Sequence, residues 1–339
     1  MYWGDEVGAV LADVGRRTAR LGYAGEDVPR RVTPVAALLG RAVPAEGATD
    51  RASVEALWAR ALRDLNASAS DRPVLAVVDA FADAAERATL AEVLLEGLSA
   101  PACYAARSPA LSAFASGRAT ALVVDVGHGS ATVAPVFDGY TLLEPCRRSA
   151  DASGAALSAR VASRLAKKLG GYASDAGVVA DVKHTACRAW RIPPFDSRLA
   201  EELDPVEFAL PDGTAVRLGP ERFEVCEPHV AELRSAVRAA LEAADADVRR
   251  PLTQEVIVVG GGSLLDGLGE RLGKDLAESL PSAFRPRVMT PGTKDERLHS
   301  AFVGGSVLAS LGTFQQLWLS RKEWDEAGPA RAVQERFVM

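Results

Sequence analysis

The hydrophobic pattern of the chain contains two strand-turn-strand segments of the same kind. In the segment Ala121–Pro135, ALVVDVGHGSATVAP, an apolar run leads into Asp125, a Gly-x-Gly turn follows, and alternation resumes at Thr132. Residues 8–22, GAVLADVGRRTARLG, repeat this order with Asp13 and Gly15. Glycine-rich turns between apolar runs predict hairpins, and their repetition predicts two similar halves that face each other across a cleft.

A third glycine cluster, Gly260-Gly261-Gly262-Ser263, follows the apolar residues 256–259 and precedes leucines spaced as one helix face. It is not the dinucleotide fingerprint, because the third glycine of G-x-G-x-x-G would fall on Leu265. Glycine lets backbone amides approach an anion, and a carboxylate such as Asp125 beside them suits a hydrated cation on the same phosphates. Each turn alone is typical of a simple chain reversal, but three together predict a nucleotide cleft.

The rest of the pattern predicts alternating strands and helices, and therefore α/β layers with a largely parallel or mixed sheet. Strands are predicted at residues 74–78 and 102–105, and hairpins at Asp138-Gly139 and at residues 208–218. A helix capped by Thr49 or Asp50 is predicted through Leu65, and further helices at residues 83–98, 109–116, 153–169, 174–189, 228–247 and 301–310. The last would be opened by Gly304-Gly305. Residues 34–47 and 191–205 are predicted to be irregular, and 321–325 a charged surface stretch.

Composition limits the possible classes of function. The chain has 339 residues, 48% of them hydrophobic and 25% charged, with a net charge of −6, so two soluble domains are expected and a general nucleic-acid surface is not. Residues 1–10 lack an apolar core, so neither a signal peptide nor a membrane span is expected. The cysteines are predicted to be reduced, buried thiols of an intracellular protein, and with four scattered histidines they make a structural zinc site unexpected; they are Cys103, Cys146, Cys187 and Cys226.

Motifs along nearly the whole chain occur in the order found in actins. The earlier ones are Asp13-Val14-Gly15, Tyr23-Ala24-Gly25-Glu26-Asp27, Asp125-Val126-Gly127, Pro211-Asp212-Gly213 and Glu221-Arg222-Phe223. The later ones are Gly260-Gly261, VGGSVLASL at 303–311, TFQQ at 313–316 and DEAGP at 325–329. The chain therefore resembles the actin superfamily. Its opening GDEVGA at 4–9 and SLGTF at 310–314 resemble the fourth class of nuclear actin-related proteins, the actin-like-6 type, in a divergent and shortened form.

The resemblance implies an α/β fold of the actin/Hsp70/hexokinase type, with duplicated mixed-sheet domains in two lobes around a nucleotide cleft. Residues 1–34, 50–115 and 300–339 would form a first large lobe like subdomain 1, with a rudimentary part like subdomain 2 at 35–49. Residues 116–150 and 231–299 would form the second large lobe, like subdomain 3, and residues 151–230 a part like subdomain 4.

The resemblance also implies an ATP site. The first phosphate loop would contain Asp13, Gly15, Arg16 and Arg20, and the second Asp125, Gly127, His128 and Gly129. On the adenosine side, the site would contain Lys183 and, from the other lobe, Gly260, Gly261, Gly262 and Ser263. No side chain is expected to bind a metal directly, but the two aspartates would reach Mg²⁺ through water.

Departures from the actin pattern predict that no useful ATPase activity remains. His128 replaces an aspartate that organises the attacking water, and Ser108 stands at the position of the hydrolytic glutamine. Phosphoryl transfer depends on positioning the nucleophile and stabilising charge. Arg16 replaces a small hydroxyl residue, and its cation would either neutralise phosphate or fill the phosphate space. The expectation is therefore ATP bound without hydrolysis, or an empty site.

Two further departures lie on the base and sugar side of the expected site, where His184 and Leu298 replace a glutamate and a lysine. Arg20 stands where actins have a lysine on the first phosphate loop.

Two shortened regions predict that the protein does not polymerise. The chain between Pro34 and Trp58 is too short for the inter-subunit loop of the small lobe, and Pro228 follows too closely on Phe223 to leave room for a hydrophobic plug. Filament growth needs repeated heterologous contacts, and both regions supply them in actin.

The class resemblance implies a non-catalytic subunit of nuclear chromatin-remodelling or histone-acetyltransferase complexes, and hence a role in transcription regulation. Its expected partners are monomeric actin, a helicase-SANT-associated helix of a remodeller ATPase or acetyltransferase scaffold, and histones or nucleosomes, with no membrane contact. The helix would lie in a groove near residues 304–313 and Trp318. The alternative is a cytoplasmic subunit of a motor-adaptor or filament-capping complex. A sugar kinase is a third possibility, disfavoured because His128 stands where its carboxylate base is needed.

Overall fold

The computed structural model describes residues 8–39 and 50–337. Its strands, in chain order, are β1 (Val10–Val14), β2 (Thr18–Tyr23), β3 (Arg31–Pro34), β4 (Val74–Val78), β5 (Ala102–Arg107), β6 (Ala121–Val126), β7 (Ala131–Phe137), β8 (Tyr140–Thr141), β9 (Arg147–Ser149), β10 (Val206–Ala209), β11 (Ala215–Leu218), β12 (Val256–Val259), β13 (Val288–Met289) and β14 (Leu319–Ser320).

The α-helices alternate with these strands along much of the chain. They are α1 (Val35–Leu39), α2 (Arg51–Asp64), α3 (Ala84–Glu92), α4 (Ser108–Ala115), α5 (Gly154–Arg164), α6 (Ala166–Leu169), α7 (Ala176–Thr185), α8 (Ser197–Glu201), α9 (Glu221–Glu224), α10 (Glu227–Ala243), α11 (Ala246–Gln254), α12 (Leu268–Ser279), α13 (Lys294–Leu298), α14 (Ser300–Ser310), α15 (Arg321–Ala327) and α16 (Pro329–Arg336).

The chain divides into two compact units. The first consists of the described parts of Met1–Thr120, Val136–Leu143 and Leu298–Met339. The second consists of Ala121–Pro135 and Glu144–Arg297. The sequence-based division into four subdomain-like parts is a finer one, and it stays a prediction.

The first unit is built on a mixed sheet with the strand order β14-β5-β4-β1-β2-β3. Strands β1, β4 and β5 are parallel, whereas β2, β3 and β14 join in antiparallel pairs. Helix α14 crosses α4 so closely that a Cβ on Gly304 would lie 1.8 Å from the carbonyl oxygen of Leu111. Both glycines therefore lie inside α14, where Gly304 allows close packing on α4, and the prediction that the pair opens the helix is wrong.

The second unit has its own mixed sheet, in which β13, β12, β6 and β7 are neighbours and β9 pairs with β7. Strands β13, β12 and β6 are parallel, and β6 is apolar and buried except at Asp125. Helices α10 and α12 cover the sheet with fully buried side chains such as Val237 and Leu272. Strands β10 and β11 form a separate hairpin.

The strongest local signals in the sequence are confirmed. Both glycine hairpins form, as β1–β2 and β6–β7, and Asp138-Gly139 connects β7 to β8. Asp50 caps α2 by accepting from the amide of Ser53, and Ser153 caps α5 by accepting from Ala156. These predictions succeed because caps and glycine turns depend on neighbouring residues.

Several predicted boundaries and loops are wrong. Residues 191–205 contain α8, because the side chain of Asp196 accepts from two amides of its first turn. The segment 34–47 contains α1, and residues 40–47 lie outside the described part of the chain. The long helix predicted to reach residue 247 ends at Ala243, since Ala244 is extended, and α11 follows as a separate helix.

Two other helices differ from the predictions. The predicted helix 153–169 breaks at Leu165 into α5 and α6, and the one at 174–189 is confined to α7. The charged stretch 321–325 is not only a surface segment, because Ser320 and Glu323 form a capping box that starts α15.

Candidate functional site

The first glycine hairpin holds its carboxylate in an ion pair. Asp13 and Arg20 are directly opposite each other on β1 and β2. The Arg20 guanidinium donates to Asp13 Oδ2 at 2.9 Å, and each side chain is only 16% exposed. Because this ion pair is short and half-buried, it stabilises the hairpin, and the guanidinium neutralises the charge of the carboxylate.

A histidine distant in sequence completes this cluster. Arg20 Nε donates to His299 Nδ1 at 3.1 Å, so Nδ1 acts as the acceptor and a neutral His299 carries its proton on Nε2. At the turn, the Gly15 amide donates to the carbonyl oxygen of Thr18 at 3.1 Å, and the side chains of Arg16 and Arg17 are exposed. The hairpin tip is therefore strongly basic, which suits a phosphate group.

The second glycine hairpin is held by backbone contacts. The Gly127 amide donates to the carbonyl oxygen of Ser130 at 3.1 Å, and a Cβ on Gly127 would lie 2.8 Å from that oxygen. The carbonyl oxygens of Gly127 and His128 each accept a 2.9 Å hydrogen bond from the amides of Gly154 and Ala155, which begin α5. His128 is exposed at the tip, and Gly129 beside it is half-buried.

Lys183 supports the same corner of the second unit. Its side chain on α7 is 8% exposed, and Nζ donates to the carbonyl oxygen of Gly154 at 3.1 Å and to Ser158 Oγ at 2.9 Å. The ammonium group thus joins α7 to the first turn of α5, the turn that contacts the second hairpin. The predicted contact of Lys183 with adenosine stays a prediction.

The third glycine cluster packs directly against the Asp125 end of β6. Gly260 has φ +82°, and a Cβ there would lie 2.2 Å from Asp125 Oδ1 and 2.8 Å from the carbonyl oxygen of Val126. A Cβ on Gly262 would lie 2.2 Å from Val126 Cγ1, and Ser263 Oγ donates to the carbonyl oxygen of Gly260 at 2.7 Å. Gly261 starts the short 3₁₀ turn Gly261–Leu264. These glycines bring the two turns into contact.

The structure therefore gathers the predicted site residues into two clusters, one in each unit. The first contains Asp13, Gly15, Arg16 and Arg20; the second contains Asp125, Gly127, His128, Gly129, Lys183, Gly260, Gly261, Gly262 and Ser263. In the first cluster the exposed Arg16 guanidinium suits a phosphate oxygen, and in the second cluster Asp125 suits a hydrated cation. The assignment of these residues to a nucleotide stays a prediction.

The positions that depart from actin lie in ordinary structural contexts. Ser108 is half-buried at the first position of α4, directly after β5. His184 is exposed near the end of α7, and Leu298 is half-buried at the end of α13. The expected lack of ATPase activity stays a prediction.

The predicted groove residues fall into buried and exposed sets. Trp318 and Phe314 are 7% and 2% exposed, so both belong to the core, as does Gly304 at the α4 contact. In α14 and just after it, Val307 and Leu311 are 47% and 48% exposed. The β7–β8 hairpin, which like α14 contacts α4, adds further exposed apolar residues to the same unit: Phe137, Tyr140 and Leu143.

The cysteine prediction can be compared with the described residues. The four cysteines are free and buried, as predicted. Within residues 8–39 and 50–337, no group of three or more histidine, cysteine or acidic side chains is arranged to hold a metal ion. Over the same residues, no helix has both the length and the apolar character needed to cross a bilayer.

Sequence reasoning missed the residues that support the site from a distance. His299, Gly154 and Ser158 contact predicted site residues, yet their neighbours along the chain carry no motif for such a role. The Ser153 cap alone indicated that α5 begins near residue 154, and a helix N-terminus close to a glycine hairpin is a useful signal for an anion site.

Known proteins resemble this chain along most of its length. The family model described as Actin matches residues 48–173 and 170–338. Actin-related protein 4 of Arabidopsis thaliana is 28% identical over 437 residues, covering 97% of this chain and 98% of the relative. The same-named protein of Yarrowia lipolytica is 28% identical, with coverages of 99% and 97%. Actin-like protein 9 of Bos taurus is 32% identical over 370 residues, with coverages of 96% and 87%.

Proposed function

The chain belongs to the actin family, and from this premise we propose that it is a non-catalytic actin-related subunit of nuclear chromatin-remodelling or histone-acetyltransferase complexes. The predicted α/β actin fold is confirmed, with two mixed sheets and their helices. The observation that carries the proposed lack of catalysis is that all three glycine turns are present while Ser108 and His128 stand where the resemblance places the two water-positioning residues of actin.

The nuclear assignment rests on class resemblance. Relatives named Actin-related protein 4 match nearly the full chain, and the sequence resembles that fourth class at 4–9 and 310–314. Most of the opening motif, residues 4–7, lies outside the described residues. Actin-like protein 9 matches at 32% identity, so overall identity alone does not select the class. The motifs at the two ends favour the nuclear one.

In this proposal the chain holds ATP without hydrolysing it. Actin-family proteins bind nucleotide, and here the hairpin tip with Arg16 and the turns at Gly127 and Gly260 would hold the phosphates. Mg²⁺ would be held through water by Asp125. If binding occurs, saturating ATP stabilises the protein by roughly 2–4 kcal/mol. The absence of a thermal shift would instead favour Arg16 as a residue that fills the phosphate space.

Self-polymerisation is not part of the proposed function. Only Val225 and Cys226 separate α9 from α10, which leaves no segment between the helices for a hydrophobic plug. The alignment with the Arabidopsis relative spans 437 residues while this chain has 339, so the relative has residues that this chain lacks. A chain that lacks the hydrophobic plug and a full-length inter-subunit loop is expected to pair with one actin molecule rather than to extend a filament.

The proposed docking surface for a partner helix is the exposed apolar set on the first unit. Val307 lies in the last turn of α14 and Leu311 directly follows its end, and Tyr140 and Leu143 are about half exposed on and after β8. An amphipathic helix recognises such a surface through apolar residues at turn spacing. The proposed occupant is a helicase-SANT-associated helix of a remodeller ATPase or acetyltransferase scaffold.

The test is affinity capture from nuclear and cytoplasmic extracts with tagged protein and mass spectrometry. The proposal predicts actin and remodeller or acetyltransferase subunits with the wild-type chain, and loss of the scaffold with Leu311→Glu. The matched control is Leu203→Glu, because Leu203 is 45% exposed but lies in the second unit. Recovery of a motor-adaptor or filament-capping complex instead would overturn the nuclear function in favour of the cytoplasmic alternative.

A further inference from the structure

A basic surface lies at one end of the sheet in the second unit. Residues 249–254 and 284–290 contain four arginines and no acidic residue, in a chain whose net charge is −6. The guanidinium of Arg249 donates to backbone carbonyl oxygens. The side chains of the other three are exposed and have no hydrogen bond or ion pair within the described residues; they are Arg250, Arg285 and Arg287. Three positive charges are therefore available to an acidic partner.

A buried threonine brings the two arginine segments together. Thr253 Oγ1 lies 2.9 Å from the carbonyl oxygen of Arg250 and 3.5 Å from that of Phe284, the residue before Arg285. The carbonyl oxygen of Thr253 accepts from the amide of Arg287 at 3.0 Å. Because Thr253 is only 1% exposed, these are contacts of the folded core. They hold the backbone that carries the three arginines at one surface.

The second arginine segment leads into an open edge of the sheet. Strand β13 is the outermost strand on its side, and among the described residues it pairs with β12 and with no other strand. Arg287 uses both of its backbone groups on the β12 side, because its amide donates to Thr253 and its carbonyl oxygen accepts from Val256 at 3.0 Å. Successive residues of a strand direct these groups to opposite sides. The amide and the carbonyl oxygen of Val288 therefore face the open edge.

The two faces of this edge differ in their chemistry. The Val288 side chain lies on the face that α12 covers, since a Cβ on Gly273 would lie 3.7 Å from Val288 Cβ. Side chains of neighbouring strand residues point to opposite faces, so Arg287 projects from the other face. An extended peptide at this edge would place alternate side chains next to the helix-covered face and next to the cation. A peptide in which acidic and apolar residues alternate matches this arrangement.

We propose that the open edge of β13 binds an extended acidic segment of a partner protein, which adds to the sheet as a further strand. Backbone groups of the segment pair with the amide and carbonyl oxygen of Val288. Its carboxylates bind the guanidinium groups of Arg285 and Arg287, whose planar shape suits a carboxylate, and Arg250 adds a third positive charge. The start of β13 lies at the opposite end of the parallel strands from Asp125, so this site is separate from the candidate nucleotide site.

The open backbone groups favour a peptide over a nucleic acid. Duplex DNA would neutralise the same arginines, but it has no peptide backbone to extend the sheet. The net charge of −6 also opposes the approach of a long polyanion. An acidic segment of a few residues needs only the local positive charge and the edge of β13.

The experiment measures fluorescence anisotropy of a fluorescein-labelled hexapeptide of alternating glutamate and valine, titrated with the whole chain. We expect this peptide to bind roughly tenfold more tightly than the same peptide with glutamine in place of glutamate. Binding should weaken as sodium chloride is added, because salt screens exposed charges. Absence of binding, or equal binding of the two peptides, would overturn the proposal.

Protein variants separate the charges from the edge. Arg285→Gln combined with Arg287→Gln should weaken binding of the glutamate peptide roughly tenfold. The matched control is Arg198→Gln, an exposed arginine of the same unit outside both segments, which should leave binding unchanged. Val288→Pro keeps every arginine but removes the edge amide, and it should abolish binding. Proline is tolerated where an edge amide faces solvent, and urea unfolding checks that this variant stays folded.

Two methylated peptides test strand addition on the unaltered protein. N-methyl groups on one alternate set of amides block the side of the peptide that faces β13, whereas those on the other set face solvent. We expect one peptide to lose binding and the other to bind like the parent. Equal binding of both would show charge attraction without strand addition and would overturn the proposal. Stronger displacement of the labelled peptide by a short DNA duplex than by unlabelled peptide would overturn it in favour of a phosphate backbone.

Discussion

The two glycine hairpins have the same sequence pattern but are stabilised by different interactions. In β1–β2, Asp13 forms an ion pair with the cross-strand Arg20, which also contacts His299. In β6–β7, the turn is held by backbone hydrogen bonds from the start of α5, and Asp125 lies against the backbone of Gly260. One hairpin relies on charge pairing and the other on close backbone packing.

This difference shows how a duplicated element can diverge without losing its shape. The first hairpin has a basic tip, with Arg16 and Arg17 exposed, and its carboxylate is neutralised. The second has His128 at its tip and keeps its carboxylate beside the glycine cluster. Close packing tolerates no added atom, whereas an ion pair can be replaced at moderate cost, so mutations in the two hairpins should have unequal effects.

The largest effect is expected from Gly260→Ala. The new Cβ would lie 2.2 Å from Asp125 Oδ1 and 2.8 Å from a backbone oxygen, at φ +82°. We expect a loss of about 4 kcal/mol in the free energy of unfolding, from backbone strain and overpacking together. Gly213→Ala is the matched control, because φ is +85° in the same unit and nothing lies within 4 Å, so about 1 kcal/mol is expected. Equal urea midpoints for the two variants would contradict close packing at Gly260.

Acid should weaken the second unit through His229. Burial, with Arg160 and Lys183 nearby, lowers the pKa of this histidine from 6.5 to about 4, and among the described residues neither ring nitrogen has a hydrogen-bond partner. The unfolded chain binds this proton below pH 6.5, whereas the folded chain binds it only near pH 4. The free energy of unfolding therefore has its full value above pH 6.5 and falls by about 3 kcal/mol as the pH is lowered to 4. Urea unfolding from pH 7 to 4 measures how the free energy of unfolding changes with pH. His229→Leu should make this change smaller. If the change were the same in the variant, groups other than His229 would cause the acid sensitivity.

A smaller effect is expected when the first hairpin loses its cation. Arg20→Leu leaves the half-buried Asp13 without its 2.9 Å partner, at a cost of about 2 kcal/mol. Adding Asp13→Asn should recover about half of this loss, because the uncompensated charge is removed. Thermal or urea unfolding of both variants tests the coupling. If the double variant were no more stable than Arg20→Leu alone, an interaction other than the ion pair would hold Asp13 in place.

The smallest effect is expected from Lys183→Met. The variant loses two hydrogen bonds to Gly154 and Ser158 but also removes a buried charge, so a net loss of about 1 kcal/mol is expected. Since Lys183 also helps lower the pKa of His229, the acid slope should become shallower. The exposed Lys167→Met is the control and should change neither the stability nor the acid slope. An unchanged acid slope in Lys183→Met would contradict the electrostatic link.

Local chemistry explains how much of this could be predicted from the sequence. Both hairpins, the caps at Asp50 and Ser153 and the position of each site glycine follow from residues within a few places of one another. The Arg20–His299 contact joins residues 279 positions apart, and no periodicity encodes it.

The sequence also did not show why residue 260 must be a glycine. A glycine after a strand predicted close approach of a phosphate, yet the described structure shows that its missing Cβ is required by Asp125 and Val126. Similarly, Lys183 was assigned to adenosine by resemblance, while its ammonium group donates to Gly154 and Ser158. A sequence pattern identifies the residue, but only packing shows which neighbour requires it.

The most direct test of the proposed function is a single-turnover measurement with γ-labelled ATP, in parallel with analysis of the nucleotide released from purified, denatured protein. We predict that labelled phosphate is not released above the rate of free ATP, and that any nucleotide carried through purification is ATP, because the proposal has Ser108 and His128 in place of the water-positioning residues of actin. Recovery of mainly ADP, or phosphate release that Asp125→Ala abolishes, would contradict the account.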